Sequence, residues 1–195
     1  LLNGLLTKKV ASLVVIKGRR RIGKSRLVYE FAKGKKFLIF TGLPPQDHTT
    51  AQSQRDEFAR QLSHQTNLPE IKADDWSKLF RLLAETVKRG RVIILFDEIS
   101  WIGTKDPDFL GKLKNAWDID FKKNPNLIFV LCGSVSSWIE KNIISSTGFF
   151  GRISLKIALE ELSLNESAQL LEKTGFKRSH LENFMLLSVI GGIPW

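Results

Sequence analysis

Short apolar runs alternate with amphipathic segments along most of the chain. Five of these runs have the length and the β-branched and aromatic content of buried strands. We predict strands over residues 13–16, 36–40, 91–96, 126–132 and 153–159. Because segments with helical periodicity separate them, the pattern predicts an α/β fold in which a parallel sheet carries helices on both faces.

The segments between and after the strands carry apolar residues at the spacing of one helix face. We predict a helix that follows the first strand and ends at Gly34, and further helices over residues 49–64, 74–89, 106–121, 136–144, 165–173 and 179–190. Ser179 and Glu182 have the spacing of a capping box. No strand follows about residue 162, so we expect a core over residues 1–162 and the beginning of a small helical unit over residues 163–195.

The turn between the first strand and its helix has the sequence of a phosphate-binding loop. Residues 18–25 follow the pattern G-x-x-x-x-G-K-S. Glycines allow a tight bend in which successive N–H groups point at phosphate oxygens, and the helix N-terminus adds positive partial charge. Lys24 can reach the β- and γ-phosphates, and the Ser25 hydroxyl can ligate Mg²⁺.

The nucleotide-binding residues that this pattern predicts form one continuous segment. They are Gly18, Arg19, Arg20, Arg21, Ile22, Gly23, Lys24, Ser25 and Arg26. The three consecutive arginines occupy the variable positions of the loop. We therefore expect their main-chain N–H groups to bind phosphate and their side chains to face solvent or a partner.

The third predicted strand ends in two adjacent carboxylates, Asp97 and Glu98. Ligand sites in open α/β sheets lie beyond the carboxyl ends of the strands, where the phosphate loop is also expected. Asp97 would anchor Mg²⁺, usually through a bound water, and Glu98 would orient and polarise the water that attacks the γ-phosphate. Paired with a phosphate loop roughly 70 residues earlier, the two carboxylates predict a triphosphate site that activates water.

The chain resembles the AAA+ and STAND-like P-loop ATPases, and more narrowly the archaeal-type ATPase family. Four motifs carry this resemblance, and together they span nearly the whole chain. They are residues 18–25, Phe96-Asp97-Glu98-Ile99-Ser100-Trp101, Cys132-Gly133-Ser134-Val135-Ser136-Ser137-Trp138 and Gly191-Gly192-Ile193-Pro194. The resemblance implies a three-layer α/β/α ATPase core with five parallel strands in the order 5-1-4-3-2, with ATP and Mg²⁺ as ligands. It also implies that a helical lid begins after this core.

The resemblance implies catalytic roles for two residues besides Lys24 and Glu98. Ser134 follows the fourth strand, where related ATPases have a polar residue that touches the γ-phosphate and the attacking water; Gly-Ser at this place is also typical of a simple turn. Arg152 precedes the fifth strand, where an arginine can act as a finger on the γ-phosphate of a neighbouring subunit or in cis. A surface arginine paired with an acidic residue is the alternative for Arg152.

Charge is uneven along the chain. The net charge is +10, and residues 1–36 hold eleven basic residues against Glu30 alone. A concentration of positive charge around the phosphate loop would attract a polyphosphate, while a nucleic-acid surface and a solvated basic face are the alternatives.

The single cysteine, Cys132, excludes a disulfide within the chain and favours a buried thiol and the cytoplasm. No apolar run reaches the length of a bilayer span, so we expect no membrane partner.

These features predict an ATP-binding and ATP-hydrolysing module that drives conformational change in a larger protein. The chain starts at Leu1 and ends at Trp195 inside a structured-looking segment, so we expect further domains that engage a DNA or protein effector, and a homo-oligomer is open. One alternative is a nucleotide-gated DNA-binding module with slow or incidental hydrolysis. Another is a small-molecule or nucleotide kinase, although Asp97 and Glu98 favour activation of water over transfer to a hydroxyl substrate.

Overall fold

The computed structural model describes residues 1–69, 71–176 and 179–193. Five strands form one sheet: β1 (Ser12–Gly18), β2 (Lys36–Thr41), β3 (Val92–Asp97), β4 (Leu127–Gly133) and β5 (Ile153–Leu159). Their order across the sheet is β2-β3-β4-β1-β5, and every neighbouring pair is parallel. Read from the other side, this is the predicted order 5-1-4-3-2, so the predicted fold class is confirmed.

Helices connect the strands and continue after β5. They are α1 (Lys24–Ala32), α2 (Ala51–Thr66), α3 (Trp76–Thr86), α4 (Ile99–Ile102), α5 (Phe109–Ile119), α6 (Ser136–Ile139), α7 (Leu164–Lys173) and α8 (His180–Ile190). Two 3₁₀ helices, Leu2–Thr7 and Phe121–Lys123, precede β1 and β4.

Two segments differ from the predicted helices. Phe121 was expected on the helix over 106–121 but lies in the separate 3₁₀ turn, because the chain leaves helical geometry at Asp120, with φ −121° and ψ −59°. Residues 136–144 form the single turn of α6 followed by a π-helical turn, Glu140–Ile144. The short helix α4 was not predicted, since four residues are too few to show a helical period.

Alternate residues of each central strand face different helices, which gives the molecule its three layers. Val14 and Ile16 of β1 belong to a core that includes α1 and the first 3₁₀ helix. Leu13 and Val15 belong to the core on the other face, which includes α2, α3 and α5. Both faces of the central strands are therefore covered, as their apolar sequences predict.

Buried aromatic rings fix the carboxyl end of β3. Phe96 is fully buried, and its ring centre lies 5.5 Å from that of Phe40, 5.4 Å from that of Phe58 and 4.7 Å from that of Phe129. Because Phe96 directly precedes Asp97, this packing restrains the backbone that carries the acidic pair.

A parallel sheet has all its strands ending on one side, which we call the carboxyl end of the sheet. In the register between neighbouring strands, Thr41 lies opposite Asp97, and Gly18 lies opposite Leu159. The phosphate-loop sequence and the acidic pair therefore begin at the same end of the sheet, while the segments that lead into the strands lie at the opposite, amino end.

The helices after β5 contact each other, and a main-chain bond joins the two ends of this segment. The Leu162 N–H donates to the Gly192 carbonyl at 2.8 Å. Ser179 and Glu182 form the predicted capping box at the start of α8. The division into a core over residues 1–162 and a lid over 163–195 stays a prediction, and Pro194 of the fourth motif lies outside the described residues.

Candidate nucleotide-binding site

The loop over residues 18–25 joins β1 to α1 and has left-handed backbone at two positions. Gly23 caps α1 with a φ of 93°, and Arg21 has a φ of 66°. Glycine suits position 23 because a side chain disfavours positive φ. Arg21 adopts it despite its side chain, which indicates that the surrounding loop holds it there.

Close packing explains Gly18 at the start of the loop. A β-carbon at this residue would lie 2.5 Å from the carbonyl oxygen of Leu159 on the neighbouring strand β5. Side chains essentially cannot approach main-chain oxygen so closely. Glycine at this position therefore lets the loop leave the sheet against β5.

The Lys24 ammonium group lies inside the loop. The residue is only 5% exposed, and its Nζ donates to the carbonyl oxygens of Gly18 at 2.9 Å and Arg19 at 2.7 Å. Within the described part of the chain, Lys24 has no carboxylate partner. A buried cation bonded only to neutral oxygens favours an anion beside it.

The Ser25 hydroxyl connects the loop to the acidic pair. It donates to Asp97 Oδ2 at 2.6 Å, although 72 positions separate the two residues in the sequence. Asp97 Oδ1 in turn accepts the Glu98 N–H at 3.1 Å. A hydroxyl and a carboxylate oxygen in contact are the kind of oxygen ligands that Mg²⁺ prefers, so these residues fit the predicted metal.

Glu98 has left-handed backbone and a fixed side chain. Its φ of 49° and ψ of 51° place it at the start of α4. Its Oε2 accepts from the Ser134 N–H at 3.2 Å and from the Ser134 hydroxyl at 2.9 Å. The family resemblance implied a contact of Ser134 with the γ-phosphate and the attacking water, and that contact stays a prediction. In the structure Ser134 is hydrogen-bonded to Glu98.

The whole chain, residues 1–195, matches the model of a family described as an ATPase domain predominantly from Archaea. The chain belongs to this archaeal ATPase family. The predicted resemblance is thereby confirmed.

Three individual proteins to which this archaeal ATPase domain is similar share little sequence identity with it. It is 23% identical over 172 residues to the uncharacterized protein MJECL04 of Methanocaldococcus jannaschii, covering 88% of this chain and 36% of that protein. Its fold is similar to that of the Walker-type ATPase PABY2304 of Pyrococcus abyssi, with a TM-score of 0.69 and 18% identity over 93% of this chain and 59% of the other.

A further similar fold is that of the Aeropyrum pernix ORC2 protein in its ADPNP–ADP complexes. The TM-score is 0.58 with 17% identity, over 88% of this chain and 48% of ORC2. The archaeal ATPase domain thus spans less than two thirds of the length of each of these three relatives.

Arg19 and Arg20 of the loop and Arg26 of α1 each have a side-chain partner elsewhere in the chain. Arg19 forms an ion pair with Glu161, just after β5. The Arg20 guanidinium carbon lies 5.9 Å from the centre of the Trp101 ring on α4, a cation–π distance. Arg26 pairs with Glu30 at 2.6 Å on the exposed side of α1. In these contacts the three guanidinium groups bind other parts of the chain.

Arg152 lies away from the phosphate loop. It directly precedes β5, at the amino end of the sheet, and its Nε and Nη2 donate to Asp118 at 2.8 to 3.2 Å. These hydrogen bonds hold the pKa of the Asp118 carboxyl well below its usual range. The structure therefore does not bring Arg152 to the site in cis, because a residue before a parallel strand lies at the end of the sheet opposite the loop. A finger role toward a second copy stays a prediction.

Cys132 lies beneath the site as a buried thiol, as the sequence predicts. Burial raises its pKa well above the ordinary value, and the nearby charge of Asp97 raises it further. A thiol in these surroundings stays protonated and is a poor nucleophile.

The basic residues of the first 36 positions do not all surround the phosphate loop. Lys8 and Lys9 precede β1, while Lys33, Lys35 and Lys36 follow the helical part of α1 and lead into β2. The prediction that the basic residues of this segment concentrate around the phosphate loop is wrong for these five lysines. The chain reaches the carboxyl end of the sheet along β1 and returns along α1 to the amino end. These five lysines precede β1 or follow α1, so they lie at the amino end.

We expect that Gly18→Ala destabilises the domain because the added carbon would lie 2.5 Å from the Leu159 carbonyl oxygen. The free energy of unfolding, measured with urea, should fall by more than about 1 kcal/mol. Gly111→Ala is the matched control, since nothing lies within 4 Å of its added carbon on α5. That control should be neutral or raise stability by about 0.5–1 kcal/mol. Equal effects of the two changes would contradict the packing argument.

Proposed function

We propose that this domain binds ATP with Mg²⁺ at the carboxyl end of its sheet, hydrolyses it, and couples its nucleotide state to conformational change in a larger protein. The observation that carries the proposal is the 2.6 Å contact between Ser25 and Asp97, which joins the phosphate loop to the acidic pair. Membership of an ATPase family supports it. The similarity to ORC2, solved with ADPNP and ADP, supports a nucleotide as the ligand.

The phosphates would bind against the loop amides and Lys24. The helix N-terminus of α1 and the buried ammonium group both favour negative charge at this place. Ser25 and Asp97 would hold Mg²⁺, which when bound neutralises charge on the phosphates.

Glu98 is the residue that we propose to orient and polarise the attacking water. Its Oε2 accepts both bonds from Ser134, so the carboxylate has a defined direction. A positioned carboxylate next to the metal ligand Asp97 favours hydrolysis over transfer to a hydroxyl substrate. Ser134 is therefore a positioning residue that acts through Glu98.

A connection between the phosphate loop and the helices after β5 supports the coupling. Arg19, at a variable position of the loop, pairs with Glu161, and Leu162 is bonded to Gly192. A change in loop conformation on nucleotide binding would thereby reach α7 and α8. We propose that these helices begin the lid, that further domains carry a DNA or protein effector, and that Arg152 serves a second copy if the protein is an oligomer.

The described residues contain no helix long and apolar enough to cross a bilayer. The compartment that we propose is the cytoplasm, on the evidence of one unpaired, buried cysteine, Cys132.

Two changes at the site should separate nucleotide binding from hydrolysis. Lys24→Ala removes the buried cation and should weaken ATP binding and lower the rate of phosphate release by about 100-fold or more. Glu98→Gln keeps the shape of the side chain, so it should bind ATP normally while hydrolysis falls about 100-fold or more. Binding is measured by titration with a fluorescent ATP analogue, and hydrolysis by release of phosphate with Mg²⁺.

Exposed residues provide the controls for these two changes. Lys36→Ala removes a lysine that donates to the Thr86 carbonyl at the amino end of the sheet, and Glu85→Gln removes a surface carboxylate paired with Lys88. Both should behave like the parent. Parental turnover by Glu98→Gln would show that Glu98 is not the base.

Ser134→Ala should lower kcat about tenfold and leave KM for ATP almost unchanged. The hydroxyl bond to the Glu98 carboxylate is lost, and such a bond to a charged group contributes about 1.5 kcal/mol. The control is Ser137→Ala, an exposed serine of the neighbouring helix α6. A rise in KM at unchanged kcat would instead show that Ser134 contacts the nucleotide.

A further inference from the structure

The segments that lead into the five strands are all basic. We define them as residues 7–11, 33–36, 87–91, 120–126 and 145–152, and together they hold eleven basic residues and one acidic residue. Their net charge of +10 equals that of the whole chain, so the remaining residues balance. The entire excess of positive charge therefore lies in the five segments that lead into the strands.

These five segments meet at the amino end of the sheet, because all five strands are parallel. Strands lie about 4.8 Å apart, so this row of connections is about 19 Å long. One contact joins the third segment to the residue just before the first: the Arg91 guanidinium donates to the Leu6 carbonyl at 2.8 Å, which brings the start of β3 next to the chain that leads to Lys8 and Lys9. The row lies at the end of the sheet opposite Lys24.

Part of this charge has a local role. Lys33 pairs with Glu30, Lys88 pairs with Glu85, and Lys35 donates to the Phe31 carbonyl at the end of α1. Cations at helix C-termini are stabilised by the helix dipole. Helix capping therefore accounts for the basic residues that follow α1 and α3 directly.

Other cations at this end have no such role. The side chains of Lys8, Lys9 and Arg89 are exposed and have no ion pair or hydrogen bond to any residue that the structure describes. Lys122 and Lys123 approach carboxylates only at 3.5 Å. Lys8, Lys9 and Arg89 therefore remain available to an anionic partner, and Lys122 and Lys123 are exposed lysines held only by these long ion pairs.

A groove lies within the same surface, beside β1 and β5. Its volume is about 640 Å³, and its lining includes Lys9, Lys122, Lys123 and Arg152. Asp118 also lines the groove and pairs with Arg152 at 2.8 Å and with Lys122 at 3.5 Å. The four cations outnumber this one carboxylate, so the groove still favours phosphate groups.

We propose that the amino end of the sheet binds the phosphodiester backbone of duplex DNA. A basic row about 19 Å long matches one major groove and one minor groove side by side, about 12 and 6 Å wide. Single strands need aromatic stacking platforms, and Phe150 is the one exposed aromatic ring in the five segments. A membrane surface is disfavoured because Val10 and Phe150 are the only large exposed apolar side chains among these described segments.

This surface does not depend on the proposed ATPase function, because it lies at the opposite end of the sheet. DNA binding through it should be independent of sequence, since backbone contacts carry no base information. It should also weaken steeply with salt, by about 0.9 log units per log unit of salt for each phosphate neutralised.

The test uses fluorescence anisotropy with a labelled duplex of about 30 base pairs over about 50 to 200 mM salt. The variant carries Lys8→Gln, Lys9→Gln and Arg89→Gln. Affinity at the lowest salt should fall at least about tenfold, and the salt slope should decrease by about three. Lys9→Gln alone should decrease the slope by about one, which keeps the test valid if the triple variant folds poorly.

The control variant carries Lys72→Gln, Lys141→Gln and Lys173→Gln, which remove the same charge from exposed positions outside the five segments. It should bind like the parent, as should Lys24→Ala. The proposal would be overturned if the control lost as much affinity as the variant, or if Lys24→Ala lost DNA binding. It would also be overturned by tighter binding to vesicles of anionic lipid than to the duplex, or by no binding to the duplex at the lowest salt.

Discussion

The candidate site depends on one hydrogen bond, from the Ser25 hydroxyl to the Asp97 carboxylate. It joins the first residues of α1 to the end of β3, which is separated from β1 in the sheet by β4. Two rigid elements support it: the phosphate loop between β1 and α1, and the aromatic packing around Phe96. Because both ends of the bond are fixed by packed structure, the phosphate loop and the acidic pair hold a constant distance before any ligand arrives.

The parallel sheet separates two kinds of charge. At its carboxyl end, Lys24 is buried among carbonyl oxygens, and the carboxylate of Asp97 is bonded to the next residue, Ser25. At its amino end, the connections into all five strands are basic. One topology thus gives a compact site suited to a triphosphate with its metal, and an extended basic surface at the opposite end. The central strands between them are apolar and covered by helices on both faces.

The sequence predicted the elements well where the signal was local. The apolar runs located all five strands, and the phosphate-loop spacing placed Lys24 and Ser25 at the start of α1. The strand order came from the family resemblance, since periodicity does not state which strands pair. The contact of Ser134 with Glu98 could not be read from the sequence, because it depends on how two neighbouring strands end and on the left-handed backbone of Glu98.

Two features of the charge distribution follow from the parallel topology of the sheet. The position of Arg152 follows from its place before a parallel strand, which puts it at the end opposite the loop. The basic residues of the first 36 positions were expected to lie together around the phosphate loop. The strand β1 and the helix α1 instead place some of them at the carboxyl end of the sheet and others at the amino end. Sequence proximity to the phosphate loop is therefore a poor guide to charge around it.

A crystal structure of the protein with Mg²⁺ and a non-hydrolysable ATP analogue tests the central claim most directly. The account predicts phosphates against the amides of residues 18–25, Lys24 turned from the Gly18 and Arg19 carbonyls toward them, and the metal between Ser25 and Asp97. A nucleotide bound elsewhere, with the Ser25–Asp97 hydrogen bond unchanged, would contradict it.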